Sequence, residues 1–545
     1  MSGRAYTFVP FRLHPLPGSP SIEALVQRGI ELQSLGKHAQ ALEALAQCLD
    51  ADPAHGLAHF LSGKSDLELG HWEKGVAHSR VAAARDPANA GAWCNLSMGE
   101  RRLGRLREAE NAARRALAVD ARLPDAWIAL GLVAQDAGSF DAARTRLMRA
   151  LEIDPARAAT ILSLANLDQA EGRLEAALEG YRRAQALDPA MAQAPYGRGY
   201  LFHNAKGDIE AGIAGYREAI ALREDFAAAH HNLAHALFLT GRFAEAWREY
   251  RWRTPRLQLE ARRSAAGRPY APPREMPPAG ARLVIVAEQG LGDTLFVLRF
   301  APRLAERGIV LEFEGDARLH GMLSRTGLFE RLSTPSDEPR GEGAMEILAG
   351  DLPLLLSDEE RAEAPPALAL PPEPSNVAAL RARLAGLGPA PYVGIAWRAG
   401  VPRAASTEVL LKELPLAAFG AALSGARATW VSVQREPRAG ESAPLEASLG
   451  APLHDLSAVN QDLEASLALM AVLDGYVGVS STNVHLRAGT GREAHVLVPF
   501  PPEWRWMAEG ESRWFPAMHV HRQSADGGWG PAFAALAARL RQDAA

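Results

Sequence analysis

The chain has 545 residues, too many for one hydrophobic core, so several domains are expected. Hydrophobic residues at 48% and charged residues at 23% are ordinary for a soluble globular protein. A formal net charge of -5 gives no general pull toward nucleic acid or anionic membrane, and no apolar run approaches the ~18–20 residues that span a bilayer.

Residues 1–20 carry Pro10, Pro15, Pro17 and Pro20 and lack a continuous apolar stretch, so they read as an N-terminal tail rather than a signal peptide. The two cysteines, Cys48 and Cys94, lie inside helical patterns as small core residues would. That argues against a disulfide framework and fits a reducing, cytoplasmic location.

From residue 21 the sequence is periodic. Asp52-Pro53, Asp86-Pro87, Asp154-Pro155 and Asp188-Pro189 share one register, with Asp120-Ala121 filling the gap, at a step of 34 residues. A glycine series runs alongside: Gly36, Gly70, Gly104, Gly138 and Gly172, then Gly207 and Gly241 after one inserted residue. Five positions after each glycine stands a small residue: Ala41, Gly75, Ala109, Ala143, Ala177, Gly212 and Ala246. The glycine is expected to open the turn between two helices in a left-handed conformation. The small residue lets paired helices approach closely, and the proline is expected to start the next helix. A step of 34 residues is the tetratricopeptide (TPR) period, and seven helical hairpins are expected over 21–259.

Such a solenoid presents a concave face that binds a peptide or another protein. The layout resembles the protein O-GlcNAc transferases, in which asparagines line that face. The equivalent position here holds Asn95 and Asn232 but also Leu61, Ala129 and Ser163, so a continuous asparagine ladder is absent.

Residues 260–281 read as a proline-rich linker, with Pro269, Pro272, Pro273, Pro277 and Pro278 following an arginine cluster at Arg251, Arg253, Arg256, Arg262, Arg263 and Arg268. The cluster reads as a cationic helix end or as a partner contact.

Beyond 282 the pattern becomes that of buried parallel strands alternating with helices. Apolar runs at 282–287, 310–313, 392–397, 429–433, 475–479 and 494–498 are the expected strands, with helices near 376–386 and 463–473 between them. The first run enters Glu288-Gln289-Gly290-Leu291-Gly292-Asp293-Thr294 and then a helix, the opening βα unit of a nucleotide-binding fold. A second start follows the proline-rich stretch from Pro365 to Pro374. The expected fold class is therefore α + α/β: a TPR α-solenoid, then two Rossmann-like lobes, 282–388 and 389–545, in the GT-B arrangement of glycosyltransferases. Ligands bind such sheets beyond the carboxyl ends of the strands.

The loop 288–293 resembles the opening loop of bacterial TPR-fused glycosyltransferases, which are related to the heptosyltransferase group (glycosyltransferase family 9) and more distantly to the O-GlcNAc transferases. Gly394-Ile395-Ala396-Trp397, Ser432-Val433-Gln434, Val479 to His485, and Pro499-Phe500-Pro501-Pro502-Glu503-Trp504-Arg505-Trp506 match in the same order. The resemblance implies an inverting transfer without metal or other cofactor, from a nucleotide-sugar. Asp293 matches the base position, and it could equally cap the following helix. Lys412 matches a lysine that contacts donor phosphate, and Arg398 and Gln434 fall at strand ends beside it; either cation could instead be a solvated surface group. Ser480, Ser481, Thr482 and Asn483 open a helix where a phosphate or a plain cap would both fit. His485 matches a histidine one turn in, though a lone histidine is more often packed. Gln289, Gly290, Gly292 and Trp504 belong to loops near the cleft. Heptosyltransferases carry an aspartate where this chain has Ser480, which puts a heptose donor in doubt.

Some bacterial proteins of this organisation modify flagellin, which makes flagellin one candidate acceptor. The expected function is transfer of a sugar to a Ser or Thr hydroxyl of a protein held on the concave TPR face. The alternatives are an inactive TPR/GT-B scaffold and a transferase acting on a glycan or lipid.

Overall fold

The computed structural model describes residues 21–335, 343–399 and 412–543, so the tail expected over 1–20 lies outside the described residues. The chain divides into two compact units, one running to Pro189 and one from Ala190 onward.

The first unit consists of five helical hairpins: Ile22–Ser34 with His38–Ala51, Gly56–Glu68 with Trp72–Arg85, Ala90–Arg102 with Leu106–Val119, Pro124–Asp136 with Phe140–Ile153, and Ala158–Ala170 with Leu174–Leu187. The turn glycines adopt the left-handed conformation expected of them, for example φ +74° at Gly104, Gly138 and Gly172. Nothing lies within 4 Å of where a Cβ would stand at those three, so backbone angle and not space is what requires glycine. The small residues five positions on are buried in the hairpin seam. Ala41, Ala109, Ala143 and Ala177 are fully buried, and a Cβ on Gly75 would lie 2.6 Å from Leu67 Cδ2.

The Asp-Pro pairs do not start the next helix. Asp52, Asp86, Asp120 and Asp154 end the preceding one, and each carboxylate accepts the N–H two residues on, at 3.0, 3.1, 2.8 and 3.2 Å. This is an Asx turn. The following helices begin only at Gly56, Ala90, Pro124 and Ala158, past the turn that proline stiffens.

The second unit opens with two more hairpins. In the first, Gln193–Leu201 continues through a π-helical turn, Phe202–Lys206, before Ile209–Leu222. The inserted residue that shifts the glycine series is absorbed by that wide turn, which ends on Gly207 at φ +70°. The next hairpin is Ala227–Leu239 with Phe243–Tyr250, and a further helix, Thr254–Ala265, runs through the 259/260 boundary expected from sequence. Three of the arginines around it are paired with carboxylates. Arg253 is buried and donates to Asp351 at 2.6 Å and Glu288 at 2.7 Å, Arg256 pairs with Asp351, and Arg263 with Glu346.

The strands are β1 Arg282–Val286, β2 Val310–Glu314, β3 Phe329–Ser333, β4 Met345–Leu348, β5 Tyr392–Ala396, β6 Arg398–Ala399, β7 Lys412–Glu413, β8 Thr429–Ser432, β9 Leu453–Asp455, β10 Gly475–Val479, β11 Ala494–Val498 and β12 Met518–Arg522. One sheet has the order β3-β2-β1-β4 and another β12-β11-β10-β5-β8-β9, all pairs parallel, while β6 and β7 form an antiparallel ribbon. Counted from its own first strand, the larger sheet reads 3-2-1-4-5-6, the doubly wound order, and the smaller reads 3-2-1-4. All six expected strands are present. β3, β4, β9 and β12 escape a hydrophobic search because they are edge strands that carry charge, as in Phe-Glu-Arg-Leu-Ser.

The seventh hairpin shares its core with the α/β region. Trp504 stacks on Phe238 with ring centroids 4.3 Å apart and meets Phe296 edge-on at 5.0 Å, and Trp514 lies 4.3 Å from Phe243. Trp504 is thus a packing residue, 6% exposed. Losing one such aromatic costs about 3–5 kcal/mol, against a total stability of about 5–15 kcal/mol for a domain. A fragment spanning 190–545 is therefore expected to unfold cooperatively in urea, whereas one spanning 260–545, lacking Phe238, Phe243 and Trp247, is expected to show no cooperative transition.

Candidate functional site

In a doubly wound sheet the crevice for a ligand opens where the strand order reverses, outside the carboxyl ends of the strands. Here that point lies between β5 and β10. A cleft of about 770 Å³ occupies it, lined among others by Arg398, Lys412, Gln434, Asn460, Ser480 and Asn483. Strand β10 runs into Ser480 and Ser481 and then into the helix Thr482–Gly489. Ser481 is the extended N-cap residue, and its side chain makes no capping hydrogen bond. The expected plain serine cap is therefore not made, and the positive end of the helix faces the cleft.

Lys412 sits at this mouth. Its ammonium donates to the Ser480 carbonyl at 3.2 Å and pairs with the Glu503 carboxylate, whose other oxygen accepts from the Ser480 hydroxyl at 2.7 Å. Burial would raise the Glu503 pKa, but Lys412 and Arg505 outweigh it and bring it down to about 2. Arg398 is tied more firmly. Its guanidinium donates to both oxygens of Glu441 at 2.9 and 3.2 Å and to the Glu436 carbonyl at 2.9 Å. Burial opposes ionisation of Glu441 as well, yet the Arg398 bonds and the Arg438 N–H hold it at about 2. Gln434 is buried and bolts β5 to β8. Its Oε1 accepts from the N–H groups of Trp397 and Arg398 at 3.0 and 2.9 Å, and its Nε2 donates to the carbonyls of Arg398 and Arg435 at 3.0 and 2.9 Å. Asn483 donates to Asn460 at 3.2 Å.

Asp293 belongs to a different opening. With Gln289, Gly290, Glu503 and Trp504 it lines a second cavity of about 590 Å³. The helix Leu291–Val297 receives no side-chain cap, so Asp293 does not cap it; its carboxylate pairs with the Arg505 guanidinium. Gln289 exchanges hydrogen bonds with the Tyr250 hydroxyl. Gly292 is required by close approach, since a Cβ there would lie 3.0 Å from His485 Cδ2. His485 is buried between Phe296 and Phe515, and burial, then Arg505 and Arg299, lowers its pKa well below the ordinary value.

The residues singled out by sequence thus fall into two neighbouring groups. Arg398, Lys412, Gln434, Ser480, Ser481, Thr482 and Asn483 line the cleft. Asp293, Gln289, Gly290 and Trp504 line the second cavity. Gly292 and His485 meet face to face. Sequence reasoning missed Glu503, Arg505 and Glu441. The first two stand inside the stretch Pro499 to Trp506, beside Trp504. Among the described residues no three His, Cys, Asp or Glu side chains stand placed to hold a metal ion, and no helix is long and apolar enough to cross a membrane.

Comparison with known proteins places TPR repeats in the helical part. A tetratricopeptide repeat model matches residues 26–90 and 94–158, and a TPR repeat model matches 203–241. The chain is 25% identical over 350 residues to Protein FlbA of Caulobacter vibrioides, a match covering 59% of this chain and 56% of that protein. It therefore spans little more than half the length of that relative. Among solved structures it is similar to a thermophilic TPR protein of Thermus thermophilus, at 25% identity, covering 32% of this chain and 95% of that one with a TM-score of 0.30. It is also similar to YrrB, described as a TPR protein with an unusual peptide-binding site, at 20% identity over 35% of this chain and 97% of that one, with a TM-score of 0.23.

The Arg398–Glu441 pair predicts an acid-dependent term in stability. A carboxyl whose folded pKa is depressed from 4.5 to about 2 stabilises the fold above the upper value, and that stabilisation is lost as pH falls toward the lower one. Glu441→Gln is expected to lower the urea midpoint at neutral pH. Its loss of stability between about pH 4.5 and 2 should be shallower than that of the unmodified chain.

Proposed function

We propose that the chain is a glycosyltransferase that moves a sugar from a nucleotide-sugar to a hydroxyl of a protein, acting in the cytoplasm. The observation that carries this reading is the cleft at the strand-order reversal, where Lys412 and an uncapped helix end converge beside the loop that bears Asp293. The two parallel sheets, each built around a 3-2-1-4 core, suit the GT-B arrangement. The TPR repeats supply a capacity to hold a protein, and flagellin is the first acceptor to try.

In this mechanism the donor's phosphates lie against Lys412 and the first N–H groups of Thr482–Gly489. Asp293 takes the proton from the acceptor hydroxyl. The oxygen bonds to the anomeric carbon, the bond from that carbon to the phosphate oxygen breaks, and the electron pair leaves with the nucleotide. The Asp293 carboxylate is paired with Arg505, so that contact opens as the acceptor hydroxyl takes its place beside the carboxylate.

One observation favours the scaffold reading instead: Arg398 and Lys412, the two cleft cations singled out by sequence, are already paired with carboxylates. Calorimetry with UDP-, GDP- and CMP-sugars separates the two. The transferase reading expects one class to bind, Lys412→Ala to weaken that binding about tenfold or more, and Asp293→Asn to bind normally while slowing transfer by about 10²–10⁴-fold. No binding by any member of the panel would leave the scaffold.

A further inference from the structure

The second cavity has a feature that the cleft lacks: TPR repeat helices build one of its walls. His203 and Asn204 come from the π turn, and His231 and His235 from the helix Ala227–Leu239, all within the stretch that matches a TPR repeat. Glu288 and Asp293 line the same cavity. One loop serves both openings: Gly290 and Asp293 line this cavity and Leu291, between them, lines the cleft.

Two independent irregularities meet here. The glycine series steps 34 residues through the array except once, from Gly172 to Gly207, and the extra residue is taken up in the π turn Phe202–Lys206. Single π turns inside α-helices recur at functional sites because they re-aim side chains. This turn carries two residues of the cavity wall, His203 and Asn204. The second irregularity is a pair of imidazoles one helical turn apart, His231 and His235, with ring centroids 4.3 Å apart. Buried imidazoles normally find hydrogen-bond partners, yet His231 Nδ1 is buried without one. Burial and neighbouring cations hold both rings in the neutral form, which can donate at one nitrogen and accept at the other.

We infer that this cavity is an acceptor chamber: it receives a hydroxyl-bearing side chain of an extended polypeptide and brings it to Asp293, with His231 and His235 as positioning residues that hydrogen-bond the incoming segment. The inference rests on the transferase reading and adds to it where the acceptor enters and which residues orient it. A polypeptide is favoured over a free glycan because the wall that contacts the occupant is a TPR repeat.

The test uses the full chain, a radiolabelled nucleotide-sugar from the panel above, and total protein from cells lacking this chain as acceptor. Label in protein is read on a gel, nucleotide affinity by calorimetry, and folding by the thermal midpoint. His231→Ala combined with His235→Ala is expected to cut labelling on the order of a hundredfold, because misplacement of a reacting group by an ångström costs that much. Nucleotide affinity and thermal midpoint should stay near those of the unmodified chain. His235→Gln, which keeps a neutral donor and acceptor, should recover most of the labelling. Labelling by the double variant at the original rate would overturn the chamber and leave the transferase reading standing. So would a parallel loss of nucleotide affinity or of the thermal midpoint, which would make the histidines merely structural. Nucleotide binding by the unmodified chain with no label in protein would also overturn it, pointing to a glycan or lipid acceptor. No nucleotide binding at all would overturn both.

Discussion

Arg253 fixes the geometry on which both cavities depend. It stands at the end of the last hairpin, 1% exposed, and its guanidinium reaches Glu288 in the loop after β1 and Asp351 just after β4. One side chain thus ties a repeat helix to the carboxyl ends of two neighbouring strands. Burial alone would lower the Arg253 pKa, but the two carboxylates reverse this and hold it above its ordinary value. Glu288 shows the cost: burial pushes its carboxyl up to about 7 even with Arg253 beside it. Pairs of this kind add little net stability over an apolar packing, and breaking one costs about 3–5 kcal/mol. What the triad contributes is position. It sets the loop from Glu288 to Asp293, and residues of that loop line both cleft and chamber.

The repeat array was legible because its signals are local. A left-handed turn needs glycine, a close helix crossing needs a small residue, and both recur at a fixed step. Legibility ended where a residue's role depends on geometry that spacing alone does not reveal. Asp-Pro looked like a helix start because proline suits a first helical turn, yet the aspartate side chain closes a turn first and delays the helix by three residues. The inserted residue before Gly207 was visible as an interruption, but its absorption as a π turn was not. Strands buried on both faces announced themselves by β-branched runs, while β3, β4, β9 and β12 did not because edges tolerate charge.

For the candidate site the limit was different. Residue types at strand ends were legible, but their partners were not, since partners come from distant sequence. Arg398 reads as a phosphate clamp until Glu441 is seen across its Nε and Nη2. Lys412 reads the same way until Glu503 is found beneath it. Asp293 reads as base or cap, and it is neither capping nor free, because Arg505 holds it.

Those pairings form a pattern. The charges alternate: Lys412, Glu503, Arg505, Asp293. Glu503 and Arg505 lie two residues apart on one segment and both line the chamber, Glu503 pairing with the cleft residue Lys412 and Arg505 with Asp293. A phosphate entering the cleft competes with Glu503 for Lys412, and a carboxylate that loses its ammonium partner attracts the nearest other cation. That cation is Arg505, already close enough to depress Glu503. Any shift of Arg505 toward Glu503 weakens its hold on Asp293. Under the proposed transferase reading, filling of the cleft by a phosphate and release of Asp293 from Arg505 are linked by Coulomb interactions across a few side chains, with no need for a movement of either sheet.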